Sequence, residues 1–137
     1  MSHSCHSLVF RCMDFRIKPS VLADLLASEG YAEGTYDLVS AAGAGRDFLS
    51  EKIGERDFLF KQIQLSQKLH QIQEVVVLYH DNCGAYGIQD PAVEHDTQTQ
   101  DLAKIKSLLN SDFPSLSFSA FIIKGVSEGN LSLQKII

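Results

Sequence analysis

No stretch of this sequence approaches the ~20 apolar residues that a membrane-crossing helix needs. Its opening, MSHSCHSLVF, has neither the basic start nor the apolar run of a secretory signal. A cytoplasmic protein with no membrane partner is the default expectation. Basic clusters are also missing: the 12 Lys and Arg are scattered, 17 Asp and Glu outnumber them, and the net charge is −5. Nucleic-acid binders ordinarily carry a basic stripe, so no nucleic-acid partner is expected. Repeats, low-complexity runs and linkers rich in Pro, Gly or Ser are absent. Cysteine is scarce and odd in number, at Cys5, Cys12 and Cys83. That argues against a disulfide framework, and in a reducing compartment thiols serve as ligands or nucleophiles. Apolar side chains, by contrast, make up 45% of the 137 residues. This suffices for one domain, residues 1–137, with a core that needs no staples.

Along the chain, strand-like and helix-like segments alternate. Residues 7–12, SLVFRC, read as a short buried strand. Pro19 suits a first helical position and Gly30 a helix end, with Val21, Leu22, Leu25 and Leu26 at helical spacing between them. Residues 36–40, YDLVS, read as a second strand, followed by a small-residue loop, AAGAG, at 41–45. A long polar segment with Phe58, Leu65, Leu69 and Ile72 on one stripe reads as a second helix. EVVVLY, residues 74–79, is a third strand. A third helix is expected from about Asp96 to Asn110, with Leu102, Ile105, Leu108 and Leu109 inward. LSFSAFII, residues 116–123, is a fourth strand, and LSLQKII pairs back on it after the turn SEGN. The order predicts an α/β fold: a mostly parallel sheet of about four strands, an antiparallel C-terminal edge strand, and helices covering the sheet. Sites in such sheets form at the carboxyl ends of the strands.

The chemistry-bearing residues fall at those ends. The first strand closes in RCMDFR, where Cys12, Asp14 and Arg16 lie two apart and share one face if the backbone stays extended. The third closes in His80, with Cys83 and Gly84 one turn beyond. If the two strands are neighbours, Cys12, His80 and Cys83 meet. Two thiolates and one imidazole suit zinc, and three protein ligands leave a fourth position open, the mark of a catalytic rather than a structural site. Asp14 beside Arg16 stays ionised. It could accept a proton or hydrogen bond there, or occupy the fourth position and shut the site.

CMDFR, HDNC and the AAGAG loop between them resemble a β-class carbonic anhydrase. That family carries Cys-x-Asp-x-Arg after its first strand and His-x-x-Cys-Gly after its third, matched here by Cys12, Asp14, Arg16, His80, Cys83 and Gly84. Its Ala-Gly loop is matched by Ala42 and Gly43. The closing hairpin is similar too, so the resemblance runs from about residue 7 to the end. It implies a Zn2+ enzyme, a carbonate dehydratase, that reversibly hydrates carbon dioxide to bicarbonate by zinc-bound hydroxide. Cys12, His80 and Cys83 would hold the metal, Asp14 would orient the hydroxide, and Arg16 would be its partner. Ala42, Gly43 and Gly84 would line the substrate pocket, and a homodimer or higher homo-oligomer would place the site near a subunit interface. Met13 and Phe15 stand where the family usually has Ser, and Ser40 and Ala41 where it has Arg-Asn. Eleven residues precede Cys12, so a reduced pocket wall and reduced dimer arms are expected.

Two other readings stay open. One is a zinc hydrolase of another small linear molecule, carbonyl sulfide or carbon disulfide; the other is a non-enzymatic zinc-binding module. Elsewhere the bland readings are preferred. Tyr79 and Tyr86 pack, Asp81 and Asn82 shape a turn, and His70 is a helix-surface residue. Nothing places His95 near the metal. His3, Cys5 and His6 are incidental ligands on a frayed terminus rather than a second metal patch.

Overall fold

The computed structural model describes residues 3–137. Five strands and three helices follow one another as β1 (Ser7–Cys12), α1 (Pro19–Ser28), β2 (Tyr36–Ala41), α2 (Ile53–His70), β3 (Glu74–His80), α3 (Pro91–Asp112), β4 (Ser117–Lys124) and β5 (Ser132–Lys135), with a short 3-10 turn at Arg46–Leu49 before α2. They form one sheet in the order β2-β1-β3-β4-β5. All neighbours run parallel except β4 and β5, which are antiparallel. The α/β class, the mostly parallel sheet and the antiparallel edge are thus as expected from the sequence.

β3 is central and buried along its whole length, which explains its unbroken run of β-branched residues. Val75, Val77 and Tyr79 point into a core shared with α2 and α3. Val76 and Leu78 point the other way, towards Leu22 and Leu26 of α1. Burying each such side chain contributes roughly 1.5–3 kcal/mol. Gly125 makes the β4–β5 connection possible. Its φ of 83° is left-handed, and a Cβ there would stand 2.1 Å from the Asn130 carbonyl oxygen.

Two helices depart from the sequence reading. In α2 the stripe of Phe58, Leu65 and Leu69 is not the buried one. Phe58 is 54% and Leu69 52% exposed, while Leu59, Ile63 and Ser66 face the core. Ile72 is buried but lies beyond the helix end. Both stripes have helical spacing, so periodicity predicts the helix without choosing the face. α3 begins at Pro91, not near Asp96. Asp90 caps it by accepting from the amides of Ala92 (2.9 Å) and Val93 (3.4 Å), and Pro91 occupies the first turn. The Asp-Pro pair is a start signal that the apolar spacing alone overlooks.

Candidate metal centre at the carboxyl end of the sheet

β1 and β3 are direct neighbours, with Arg11 opposite Leu78, so Cys12 and His80 emerge side by side at the carboxyl edge. The Sγ atoms of Cys12 and Cys83 and an imidazole nitrogen of His80 lie within 4.8 Å of one another, and all three residues are buried. Asn82, at φ 53°, takes the left-handed turn that brings Cys83 back towards the strand; asparagine tolerates that conformation better than most residues.

Several groups hold this turn. The His80 ring is oriented by its Nδ1, 2.6 Å from the Asp81 carbonyl oxygen, which fixes the tautomer with the proton on Nδ1. Glu94 of α3 is buried, and its carboxylate accepts from the amides of Asn82 (2.7 Å) and Cys83 (2.9 Å). Gln98, one turn further on, donates to the His80 carbonyl at 2.8 Å. The Asp81 carboxylate accepts from the amides of Gly125 and Val126. None of Glu94, Gln98 and Asp81 stands out in the sequence as a site residue. The only available signal is that Glu94 and Gln98 are polar residues on the inward face of an otherwise apolar stripe.

Asp14 and Arg16 reach the site by a route other than the extended one expected. β1 ends at Cys12 and the chain turns. The Asp14 Oδ1 accepts from the Arg16 amide at 2.9 Å and from Arg16 Nε at 3.0 Å, and Oδ2 accepts from the guanidinium at 2.7 Å. Arg16 also donates to the side chain and carbonyl of Asn82, tying the first turn to the second. Buried Arg11 fastens the same loop from beneath through the carbonyls of Cys12, Asp14 and Ile17. The hydrogen bonds from Arg16 hold the Asp14 carboxyl down at about 2, so it is ionised across the neutral range.

The electrostatics of the pocket suit a cation. The Cys12 thiol is held well below its usual range, first by a hydrogen bond from Cys83 and then, against burial, by His80 and the amides of Gly43 and Asp14. Cys83 is pushed up, first by that same bond and then by burial. Burial alone would lower His80, but Cys12, the Asp81 carbonyl and Asp14 together raise it. His80 Nε2 has no hydrogen-bond partner among the described residues, and lies 3.7 Å from Asp14 Oδ2. A buried nitrogen left unpaired costs free energy. Here it faces two thiols and a carboxylate, the donor set that zinc prefers. The residues therefore fit a zinc ion, with Cys12, His80 and Cys83 as the donors.

An open groove of about 790 Å³ leads to these groups, lined among others by Met13, Asp14, Phe15, Arg16, Cys83 and Gly84. Ala42 and Gly43 are not part of its lining. Ala42 is exposed, and Gly43 is buried with its amide turned to the Cys12 sulfur. At φ 72°, with Ala85 and Arg46 each 3.1 Å from where a Cβ would sit, position 43 requires glycine. Tyr79 and Tyr86 pack edge to face, 5.3 Å apart, as expected. His95 lies against Gln134 of β5.

Comparison with known proteins accords with this arrangement. The model of a family described as "Putative carbonic anhydrase" matches residues 2–124. Uncharacterized proteins of Rickettsia bellii and Rickettsia conorii are each 27% identical over 125 residues, which is 85% of this chain and 75% and 66% of theirs. Among solved structures, a carbonic anhydrase from Glaciozyma antarctica superposes with a TM-score of 0.64 at 18% identity, covering 100% of this chain and 85% of that one. Tetrameric beta-carbonic anhydrases from the ascomycete Sordaria macrospora give 0.55 at 11% identity, covering 96% and 81%. Among the described residues no helix is long and apolar enough to cross a membrane. The match over residues 2–124 identifies the chain as a member of the putative carbonic anhydrase family.

Proposed function

We propose that this chain catalyses the reversible hydration of carbon dioxide to bicarbonate at a zinc ion held by Cys12, His80 and Cys83. The observation that carries the reading is the unpartnered His80 Nε2, buried between two thiols and next to the Arg16-bound Asp14. Zinc held there supplies the Lewis acidity that makes water nucleophilic near neutral pH. Asp14 is the group placed to take a hydrogen bond or proton at the mouth of the site. Both its oxygens are already engaged by Arg16, so its direction is set and it stays charged. The open groove admits a small molecule, and Met13 and Phe15 give it an apolar rim suited to carbon dioxide. Gly84, in its lining, adds no side chain to it. Assembly with further copies of the chain is part of the reading, by analogy with the tetrameric Sordaria enzymes.

The test is stopped-flow carbon dioxide hydration at mildly alkaline pH on zinc-loaded protein. Turnover is expected in the wild type and in neither Cys83→Ser nor metal-stripped protein. Asp14→Asn is expected to keep its zinc and lose turnover. A wild type with full zinc and no turnover would remove the reading. In that case, hydrolysis of carbonyl sulfide or carbon disulfide, or a purely zinc-binding role, would be measured next.

A further inference from the structure

We propose that His3, Cys5, Asp37 and His70 form a second metal site, for zinc or a similar divalent cation, at the opposite end of the sheet. Cys5 Sγ, a carboxylate oxygen of Asp37 and an imidazole nitrogen of His70 lie within 4.8 Å of one another. Donors around a tetrahedral zinc stand roughly 3.5 Å apart, so a contraction of about an ångström closes the set. His3 stands edge-on to His70, with ring centroids 4.9 Å apart, within reach of the fourth position. A cavity of about 200 Å³ opens among His3, Ser4, Cys5, Tyr36, Asp37 and His70, which is ample room for an ion.

The chemistry of the set suits a zinc-like cation: one thiolate, one carboxylate and two imidazoles, with two negative charges to match it. The elements converge because of the fold. The Cys5 amide donates to the His70 carbonyl at 3.0 Å, and that of His6 to the Thr35 carbonyl. The stretch is therefore not a frayed end, contrary to the expectation from sequence. His70, at the last turn of α2, is half-buried rather than a simple surface residue, with Nδ1 2.7 Å from Asp37 Oδ2. Ser66, one turn earlier, donates to the same oxygen at 2.6 Å and so orients the carboxylate. A hydrogen-bonded His–Asp pair at a helix end has its own rationale in the helix dipole, but it needs no thiol. The Cys5 Sγ makes a weak bond to the Ser7 carbonyl, at 3.6 Å, and also interacts with Asp37. A cation there would fasten the segment before β1 to β2 and to the end of α2. It would sit roughly 20 Å from Cys12, given the rise along a strand.

The cysteine count makes the test clean. In a Cys12→Ser/Cys83→Ser chain without an N-terminal tag, Cys5 is the remaining thiol. Cobalt(II) titration of that chain is expected to saturate at one ion, with a near-ultraviolet thiolate-to-cobalt band and the visible bands of a tetrahedral centre. Adding Cys5→Ser should abolish the near-ultraviolet band. Asp37→Asn and His70→Gln should each weaken binding at least ~10-fold. No band, or a band indifferent to both Asp37→Asn and His70→Gln, overturns the proposal, leaving a His–Asp pair beside a lone thiol. If the double serine variant does not fold, zinc content decides: Cys5→Ser in the otherwise native chain should release one ion per chain and keep the other. Unchanged zinc content overturns the proposal. Neither experiment depends on the activity assigned to the first site.

Discussion

The two ends of the sheet hold donor groups of similar kind in different settings. At the carboxyl end, Cys12, His80 and Cys83 are buried, and each is fixed by something other than the others: amides of Gly43 and Asp14 on Cys12, the Asp81 carbonyl on His80, Glu94 behind Cys83. At the amino end, Cys5, Asp37 and His70 are half-buried. Their outer support is mainly Ser66, and one arm comes from the segment before the first strand. The difference is one of preorganisation. Folding already meets the ordering cost at the carboxyl end, so a cation there binds tightly and exchanges slowly. At the amino end part of that cost falls on binding, and a weaker, faster-exchanging site is expected. A groove reaches the first set and leaves room for a substrate, whereas the second gathers three donors with the His3 ring beside them and reads as a fastening.

The comparison breaks most sharply at Cys83. Cys83→Ser is expected to abolish both the tightly held metal and carbon dioxide hydration, while the amino-end site still takes up cobalt. Metal analysis after dialysis, with stopped flow on the same sample, checks this; tight metal retained in Cys83→Ser would mean that the ligand set is wrong. Proton competition probes both ends next. Cys83 is pushed up by Cys12 and burial, and His80 is raised overall despite burial, so both must shed a proton before binding a cation. Lower pH favours the protonated forms, so affinity falls as pH falls, by ~10-fold per pH unit for each proton released. At the amino end burial opposes ionisation of Asp37, but His70 and Ser66 hold it down overall, so its carboxylate contributes no proton, whereas burial raises the Cys5 thiol, which must shed one. Zinc affinity measured against a chelator should therefore fall at both ends from pH 8 down to ~pH 6. A pH-independent affinity at either end would contradict its thiol ligand.

Glu94→Gln comes next in size. The carboxylate accepts from two amides of the Asn82–Cys83 turn. An amide side chain has one acceptor oxygen, so one buried N–H is left facing an NH2 group. Loss of such a positioning group costs ~10–100-fold in metal affinity, and the broken charge-assisted bond about 1–3 kcal/mol of stability. Chelator competition and thermal melts of the metal-free protein measure the two effects. An unchanged metal affinity would show that the turn holds Cys83 in place without α3.

How far these features are legible in the sequence follows from which of them are local. The strand order and parallel sheet are visible because each strand is a short apolar run separated from the next by a helix-length segment. Cys12, His80 and Cys83 are visible because they sit where such runs stop. Glu94 and Gln98 are not, since their partners are backbone groups that only the packing of α3 against β3 brings near. The buried face of α2 is ambiguous because Phe58, Leu65 and Leu69 compete with Leu59 and Ile63 at the same period. Of the amino-end cluster, His3 and Cys5 are visible as a possible metal patch, but their partners Asp37 and His70 are not, for the same reason as Glu94. Cys5, Asp37 and His70 belong to three segments far apart in the chain, and only the register of β1 beside β2 and the end of α2 brings them together.

The smallest effect expected is at Ser66, and it probes the comparison from the weaker side. Its hydroxyl donates to Asp37 Oδ2, which His70 also contacts, and the residue lies on the buried face of α2. Ser66→Ala removes that bond without opening a large cavity. Stability should fall by only ~1 kcal/mol, because the carboxylate keeps His70 and reaches solvent. Cobalt affinity at the amino end should fall by ~10-fold, and carbon dioxide turnover at the other end should not change. If Ser66→Ala instead lowered turnover, the two ends would be coupled through the fold, and treating them as independent sites would be wrong.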